Sequence, residues 1–475
     1  MFRRKCGSIL RVVCFLLLSV LTAGASAHGQ TPPPESALGR DLHVDPVRGD
    51  DSQDGGTHPV KSIQRAIGLA RAGDTIHLSP GRYFESAVFS SKSGEAGRPI
   101  VLDGHGAIID GSDPINPTEW DSLGDGLYRS TQVLPTFNPS IVSRWYFLFD
   151  GRMVRMGRSS KGPKDAWKTP ADLQPGEWTT VEAEKAFYVR IAPDRELASA
   201  GIRIPRRSNA VGFGGRGGHL VIRNIVGTHV YNDGFNVHGH QLDCVFENIT
   251  AIECGDDGFS AHEDAECRID GFVSIGNSTG LCDIGESVTH YRNVFIRDCH
   301  GFDIYFLGET QHSMENVLVE SSAAHALQVS QQSQRPDADP VRVQLKNLHI
   351  RRAGDKPAGR AYVSRNAKLT LERCTLQGVD LAAAEDSQIR VVQSVFAGEP
   401  LPRLDIRPGA IWLGEYNLYD VASWKHHDRD VTRATFGAFQ QETASERNSQ
   451  WEDVDELPSG VGADRAALQH LRSSP

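Results

Sequence analysis

Three carboxylates in this chain stand one repeat apart, each in front of a short strand-like run. Asp233 precedes Gly234-Phe235-Asn236-Val237, and the pair Asp256-Asp257 precedes Gly258-Phe259-Ser260-Ala261. Aligning the similar runs that follow extends the column before the glycine to Asp233, Asp257, Thr279, His300 and His325. Neighbouring outward positions add Asn236, Ser260, Asp303, Gln328, His238 and His262. Nine of the 18 histidines lie between His219 and His325, and no lysine occurs from 186 to 345. Imidazole is therefore the proton carrier that this stretch itself offers near neutral pH. Acids on neighbouring rungs repel across roughly 5 Å and need a proton, a cation or a metal between them. Three carboxylates suit Ca2+, which takes six to eight oxygens. Asn-Asp-Gly and Asp-Asp-Gly are also ordinary turn sequences, and solvated corners are the plain alternative.

The residues that hold this face form a repeat. A polar residue, then Asn or Gly, then an apolar residue recurs as Arg223-Asn224-Ile225, Glu247-Asn248-Ile249, Asp270-Gly271-Phe272, Arg292-Asn293-Val294, Glu315-Asn316-Val317 and Lys346-Asn347-Leu348. The marked position returns after 24, 23, 22, 23 and 31 residues. Between these segments apolar and polar residues alternate with the strand period. Such a unit buries its apolar face only by stacking on its neighbours. The expected fold is all-β, a parallel solenoid whose corner asparagines hydrogen-bond from coil to coil. Ile63, Ala66, Ile67 and Ala70 have helical spacing, and Thr75 to Leu78 starts a strand. The segment 115–206 is rich in Trp, Pro and Gly and breaks the repeat, which predicts a small inserted β-rich domain. The expected organisation is first coils with a capping helix (41–114), the insertion (115–206), the main stack (207–420), and a C-terminal cap and tail (421–475) whose residues 459–475 are expected to be disordered.

The run HVDPVRGDDSQDGG followed by SIQRAIGLARAGDTIHLSPGRYFES resembles the opening coil of right-handed parallel β-helix proteins of the pectate lyase type. The resemblance covers about residues 41–112 and 207–420. It implies a right-handed helix of coils whose short α-helix caps the open end. Asp233 with Asp256-Asp257 is similar to the calcium cluster of one pectate lyase family, with Asp233, Asp256 and Asp257 as ligands. Ser260 stands where that family has a further Asp, and the family's lysine base has no counterpart in reach. The resemblance implies β-elimination from a uronate-containing glycan, with Ca2+ on the substrate carboxylate and a base on the adjacent C–H. His262 and His300 are the candidate proton-transfer residues, and Arg297 is the candidate charge partner for substrate.

A second likeness is to polygalacturonases, in which the same three Asp act as acid and base without metal. The expected Gly-His-Gly reads Ser278-Thr279-Gly280 here, and no Arg-Ile-Lys follows. A weaker likeness, Gly258 to Glu263, is to β-helix mannuronan epimerases and supports His262 as base. A non-catalytic glycan-binding or surface module is the third reading.

The ends and the charge set the context. Arg3, Arg4, Lys5 and Arg11 precede an apolar run from Val12 to Leu21 and the small residues Ala25-Ser26-Ala27. This order reads as a signal peptide of residues 1–27, hence an extracellular or periplasmic protein with no membrane association after cleavage. The whole chain carries −10, and cleavage makes it more acidic. That charge argues against nucleic acid as a partner and would repel an acidic polysaccharide unless cations or a local basic patch mediate; the partner that the resemblance implies is a polysaccharide, bound by a monomer. Six cysteines, Cys244, Cys254, Cys267, Cys282, Cys299 and Cys374, follow the repeat and read as stacked core thiols, with a Cys244–Cys267 bridge as the alternative.

Overall fold

A computed structural model describes residues 39–332, 338–384 and 386–472. The proposed signal peptide lies outside them. The chain is an all-β parallel β-helix. Its longest strands stack in parallel along one face: Arg216–Thr228, His240–Ile252, Glu266–Ile275, Val288–Arg297, Gln311–Ser321 and Arg342–Arg352. A second face stacks Phe235–Val237, Asp257–Ala261, Thr279–Gly285, Phe302–Gly308, His325–Gln331 and Gly359–Ser364 in a 12-stranded sheet. Inward columns run from rung to rung, for example Ile225, Ile249, Phe272, Val294, Val317 and Leu348, all essentially without exposed surface.

The recurring asparagines have a second reason to be where they are. Asn224, Asn248, Asn293, Asn316 and Asn347 all take φ between +50° and +58°, and Gly271 takes +79°. Each long strand bends there through a left-handed residue, which Asn and Gly tolerate and branched side chains do not. The expected ladder is present in part. Asn316 donates to Asn293 at 2.8 Å, Asn293 donates to Asp270 at 2.7 Å, and Asn224 donates to Asp103 at 2.9 Å. Where Gly271 interrupts it, Asp270 supplies the acceptor.

The six cysteines are buried free thiols. Cys244 and Cys267 stand in register on adjacent rungs. Burial pushes the Cys244 thiol up to about 12, so it packs as a neutral apolar group.

The first helix, Ile63–Leu69, buries Ile63, Ala66 and Ile67, and its Ser62 cap accepts from the Arg65 N–H. At the other end Trp424 packs among Trp412, Tyr419, Phe436 and Phe439, the last two on the helix Phe436–Thr443. Residues 115–206 form most of two four-stranded antiparallel sheets. Trp178, Phe147, Phe187 and Trp145 are the centre of their own core. Tyr231 of the coil stack lies against Trp145 of this segment.

The tail corrects an expectation. Its polar composition predicted disorder from 459 onward, yet Leu468 and Leu471 bury themselves against Val273, Phe295 and Leu318. Asp464 also accepts two backbone N–H groups of its own turn, and its N–H reaches Asn316. The tail thus covers outward apolar residues of the long-stranded face. L468A/L471A should lower stability by between about 2 and 5 kcal/mol in a denaturant titration, with a steeper loss of solubility on truncation at 458. Unchanged midpoints would show that the tail contributes nothing to the fold.

Candidate functional site

Asp233, Asp256 and Asp257 converge as the repeat requires, and one carboxylate oxygen from each lies within 4.8 Å of the others. They are not solvated corners, since their exposures are 2%, 7% and 2%. Asp233 accepts from the Asp257 N–H at 3.0 Å, from the Asn232 amide at 3.1 Å and from the Asn236 amide. The rung spacing of about 4.8 Å makes the Asp233–Asp257 approach unavoidable.

The cation that relieves this repulsion comes from the insertion. Lys161 Nζ donates to Asp256, and to both oxygens of Asp257 at 2.7 and 2.9 Å. Arg144, also inserted, donates to the other oxygen of Asp256 at 2.9 Å, and the Ser160 hydroxyl donates to Asp256 as well. The loop that carries Lys161 rests directly on the coil. Ser160 N–H donates to Ser278 at 2.8 Å, and a Cβ on Gly162 would come within 2.4 Å of Gly301 Cα. Only a glycine at 162 lets the loop approach so closely.

Burial raises all three acids, and their surroundings then separate them. Burial and the charge of Asp256 lift Asp233 to about 6. Burial, Asp256 and Asp233 lift Asp257 well above the carboxylate range, with Lys161 opposing. For Asp256 the burial cost is overcome by Lys161, Ser160 and Arg144, and its carboxyl lies below the usual range. Burial would lower Lys161, but Asp257 and Asp256 outweigh it and hold the amine firmly protonated.

These groups share a cavity of about 500 Å³ with His238, His262, Cys282, Ile284, Phe302, Tyr305 and Leu307. His262 Nε2 lies 2.6 Å from the Ser260 hydroxyl, and its ring stacks on His238 at 3.9 Å. Burial first, then His238, lower it to about 4, so it is neutral at pH 7.

Of the six expected site residues, the structure brings together Asp233, Asp256, Asp257 and His262. His300 is elsewhere, in a separate cavity with Arg155, Arg158, Glu253 and Asp298. Arg297 pairs weakly with Asp298 at 3.8 Å and lines neither cavity. The cause is a register error of two residues. Cys282 pairs with Tyr305, and Gly280 therefore aligns with Asp303, not Gly301. Asp303 consequently turns inward and is fully buried, while Tyr305 takes the outward place. Lys161 and Arg144 were missed because nothing in their spacing ties them to the repeat. The one signal was charge: an acidic cluster with no lysine from 186 to 345 needs a cation from another segment.

Comparison with known proteins finds matches to parts of the chain. Residues 233–396 match the model described as "Right handed beta helix region", and residues 47–104 match "Protein of unknown function (DUF1565)". A pectate lyase, PEL9 of Emericella nidulans, is 36% identical over 99 residues, which is 20% of this chain and 24% of that protein. The matched stretch thus spans about a quarter of that relative. Among solved structures, XylC in complex with xylose has a TM-score of 0.47 at 11% identity, covering 88% of this chain and 87% of that one. Pectate lyase Pel9A has 0.40 at 12% identity, covering 83% and 79%.

Removing the ammonium tests the site. In K161M the low Asp256 carboxyl should rise and take up a proton. A folded-state pKa raised above the unfolded value stabilises at low pH and loses that stabilisation as pH rises through it. The melting-temperature deficit of K161M against the parent should therefore be larger at pH 8 than at pH 5, and Ca2+ should narrow it. An equal deficit at both pH values would contradict the charge-relief role.

Proposed function

We propose that this chain is a secreted polysaccharide lyase that cleaves uronate-containing glycans by β-elimination. The observation that carries the reading is the intramolecular cation on the Asp233–Asp256–Asp257 cluster, next to a neutral imidazole. Elimination beside a uronate carboxylate needs these two things: positive charge to acidify the C–H, and an unprotonated base to take the proton. Similarity to a pectate lyase over 99 residues supports the substrate class.

The cluster's three carboxylates are oxygen donors of the kind a hard dication takes, and Lys161 Nζ, which donates to Asp256 and Asp257, stands where such an ion would sit and must swing away for it to bind. Asp233, Asp256 and Asp257 would hold Ca2+, which when bound supplies Lewis-acid neutralisation of the uronate carboxylate. The rest of the chemistry belongs to the chain. Lys161 is too strongly protonated to act as a base at neutral pH. His262, neutral from about pH 4 upward, takes the proton. Tyr305, whose hydroxyl burial keeps protonated, is the wall group that returns a proton to the departing glycosidic oxygen. The acidic whole-chain charge makes such local cations necessary for an acidic glycan.

One observation favours a hydrolase instead. Lys161, Ser160 and Arg144 pull Asp256 down while burial and the neighbouring acids push Asp257 up, a separation of carboxyl affinities of the kind an acid and a base need. The two reactions leave different products. The lyase reading predicts an ultraviolet-absorbing unsaturated end from polygalacturonate or a related uronan, at least 100-fold loss in H262A, and an acidic limb near pH 4. New reducing ends without absorbance, insensitive to chelator, would establish hydrolysis and end the lyase reading.

A further inference from the structure

We propose that Ser260 is a positioning residue for His262: it holds the imidazole in the tautomer that carries its proton on Nε2, and so makes Nδ1 the nitrogen that takes the proton from substrate. Only the last step rests on the lyase reading, since the tautomer is a property of the chain alone. Position 260 is where the similar calcium cluster has an Asp and this chain has a hydroxyl.

Strand register puts that hydroxyl where it acts. Ser260 stands between Asn236 on one rung and Cys282 on the next. Asn236 donates to Asp233, and Cys282 is in register with Tyr305, so this column runs from the acids to the far wall of the cavity. Ser260 is fully buried. Its Oγ has two neighbours, the Cys282 carbonyl at 2.9 Å and His262 Nε2 at 2.6 Å. A hydroxyl has one proton to give, and a carbonyl can only accept. If that proton went to Nε2, the Ser260 and Cys282 oxygens would face each other at 2.9 Å with no proton between them, at a residue without exposed surface. The proton therefore goes to the Cys282 carbonyl, and Oγ accepts from the His262 Nε2–H. A neutral imidazole has one N–H, so the lone pair is on Nδ1.

The surroundings hold the ring still. The His262 backbone N–H donates to the Val237 carbonyl at 2.9 Å. His238, one rung away, covers one ring face, with centroids 3.9 Å apart and planes within 16°. His238 is itself tied through Nδ1 to Glu263 at 3.1 Å, and Glu263 also accepts from the Gly239 N–H at 2.8 Å. Nε2 is engaged and one face is covered, which leaves Nδ1 as the ring nitrogen for substrate. In the elimination the C–H electron pair becomes the new C=C bond and the proton goes to Nδ1. The glycosidic oxygen leaves with the C–O pair and takes a proton from Tyr305. The proton of Ser260 has no acceptor beyond the Cys282 carbonyl, so the captured proton leaves from Nδ1 and not through Ser260. Water carries it to the Tyr305 oxygen, which closes the cycle.

The test is the side-chain nitrogen NMR spectrum of the full chain with isotope-labelled histidine near neutral pH, with His262 assigned by its loss in H262A. Parent His262 should show a protonated Nε2 and an unprotonated Nδ1. S260A should convert this to a mixture of both tautomers, and S260T, which keeps the hydroxyl, should restore it. On a uronan, S260A should lower kcat by about tenfold or more with KM changed less than about twofold, and S260T should recover most of the rate. S313A, which takes a hydroxyl from His290 on the outside of the long-stranded face, should leave the His262 signals and turnover as they are. A protonated Nδ1 in the parent would overturn the proposal, and so would an unchanged His262 spectrum in S260A. Without elimination by the parent the lyase reading fails, and the role of Nδ1 as proton acceptor with it, while the spectrum still decides the tautomer.

Discussion

The structure turns on one spacing. Coils stacked at about 4.8 Å leave no freedom in how far apart equivalent residues stand. Three aspartates in equivalent or adjacent places on two coils must therefore meet, and their charges must be neutralised. Lys161 and Arg144 do so from outside the repeat. Each buried ion pair is costly to desolvate, so the arrangement is a poor way to gain stability alone. Its retention makes sense if the cluster serves chemistry, for which separated carboxyl affinities and a neutral histidine in one cavity are the requirement.

The interior follows a different rule. Two acids buried within the stack are enclosed by hydrogen-bond donors instead of lining a cavity. Asp283, raised by burial to about 7, accepts from Thr289 at 2.7 Å, Tyr291 at 2.8 Å and the Ala261 N–H at 3.0 Å. At the C-terminal end Glu446 accepts from Tyr419 at 2.9 Å and Asn417 at 3.2 Å, and Trp412 donates to it as well. These networks satisfy the groups they enclose. The Asp233–Asp256–Asp257 cluster differs because it opens onto a cavity shared with His262 and Tyr305.

Most of the scaffold was legible in the sequence because stacking writes itself as periodicity. The spacing of Asn224, Asn248, Asn293 and Asn316 located the long strands, though the left-handed bend that selects Asn is a backbone fact that spacing does not announce. The acids were legible for the same reason. The failures have physical causes. Between Gly280 and Gly301 the similar Gly-apolar text sits two residues off the true register, which misplaced His300 and Asp303. Lys161 lies 95 residues before Asp256, in a loop whose docking depends on Gly162 and Ser278, and no period connects them. The tail was misread because two leucines in a polar context suffice to cover a preformed apolar face.

The central claim is that an inserted lysine completes an acidic cluster that the coils alone cannot sustain. A double-mutant cycle in denaturant unfolding tests it most directly, with K161M, D257N and K161M/D257N at neutral pH and low salt. The account predicts a coupling of at least about 1 kcal/mol, with D257N rescuing part of the K161M loss. Additive effects, within about 0.3–0.5 kcal/mol, would mean that Lys161 and Asp257 do not depend on one another.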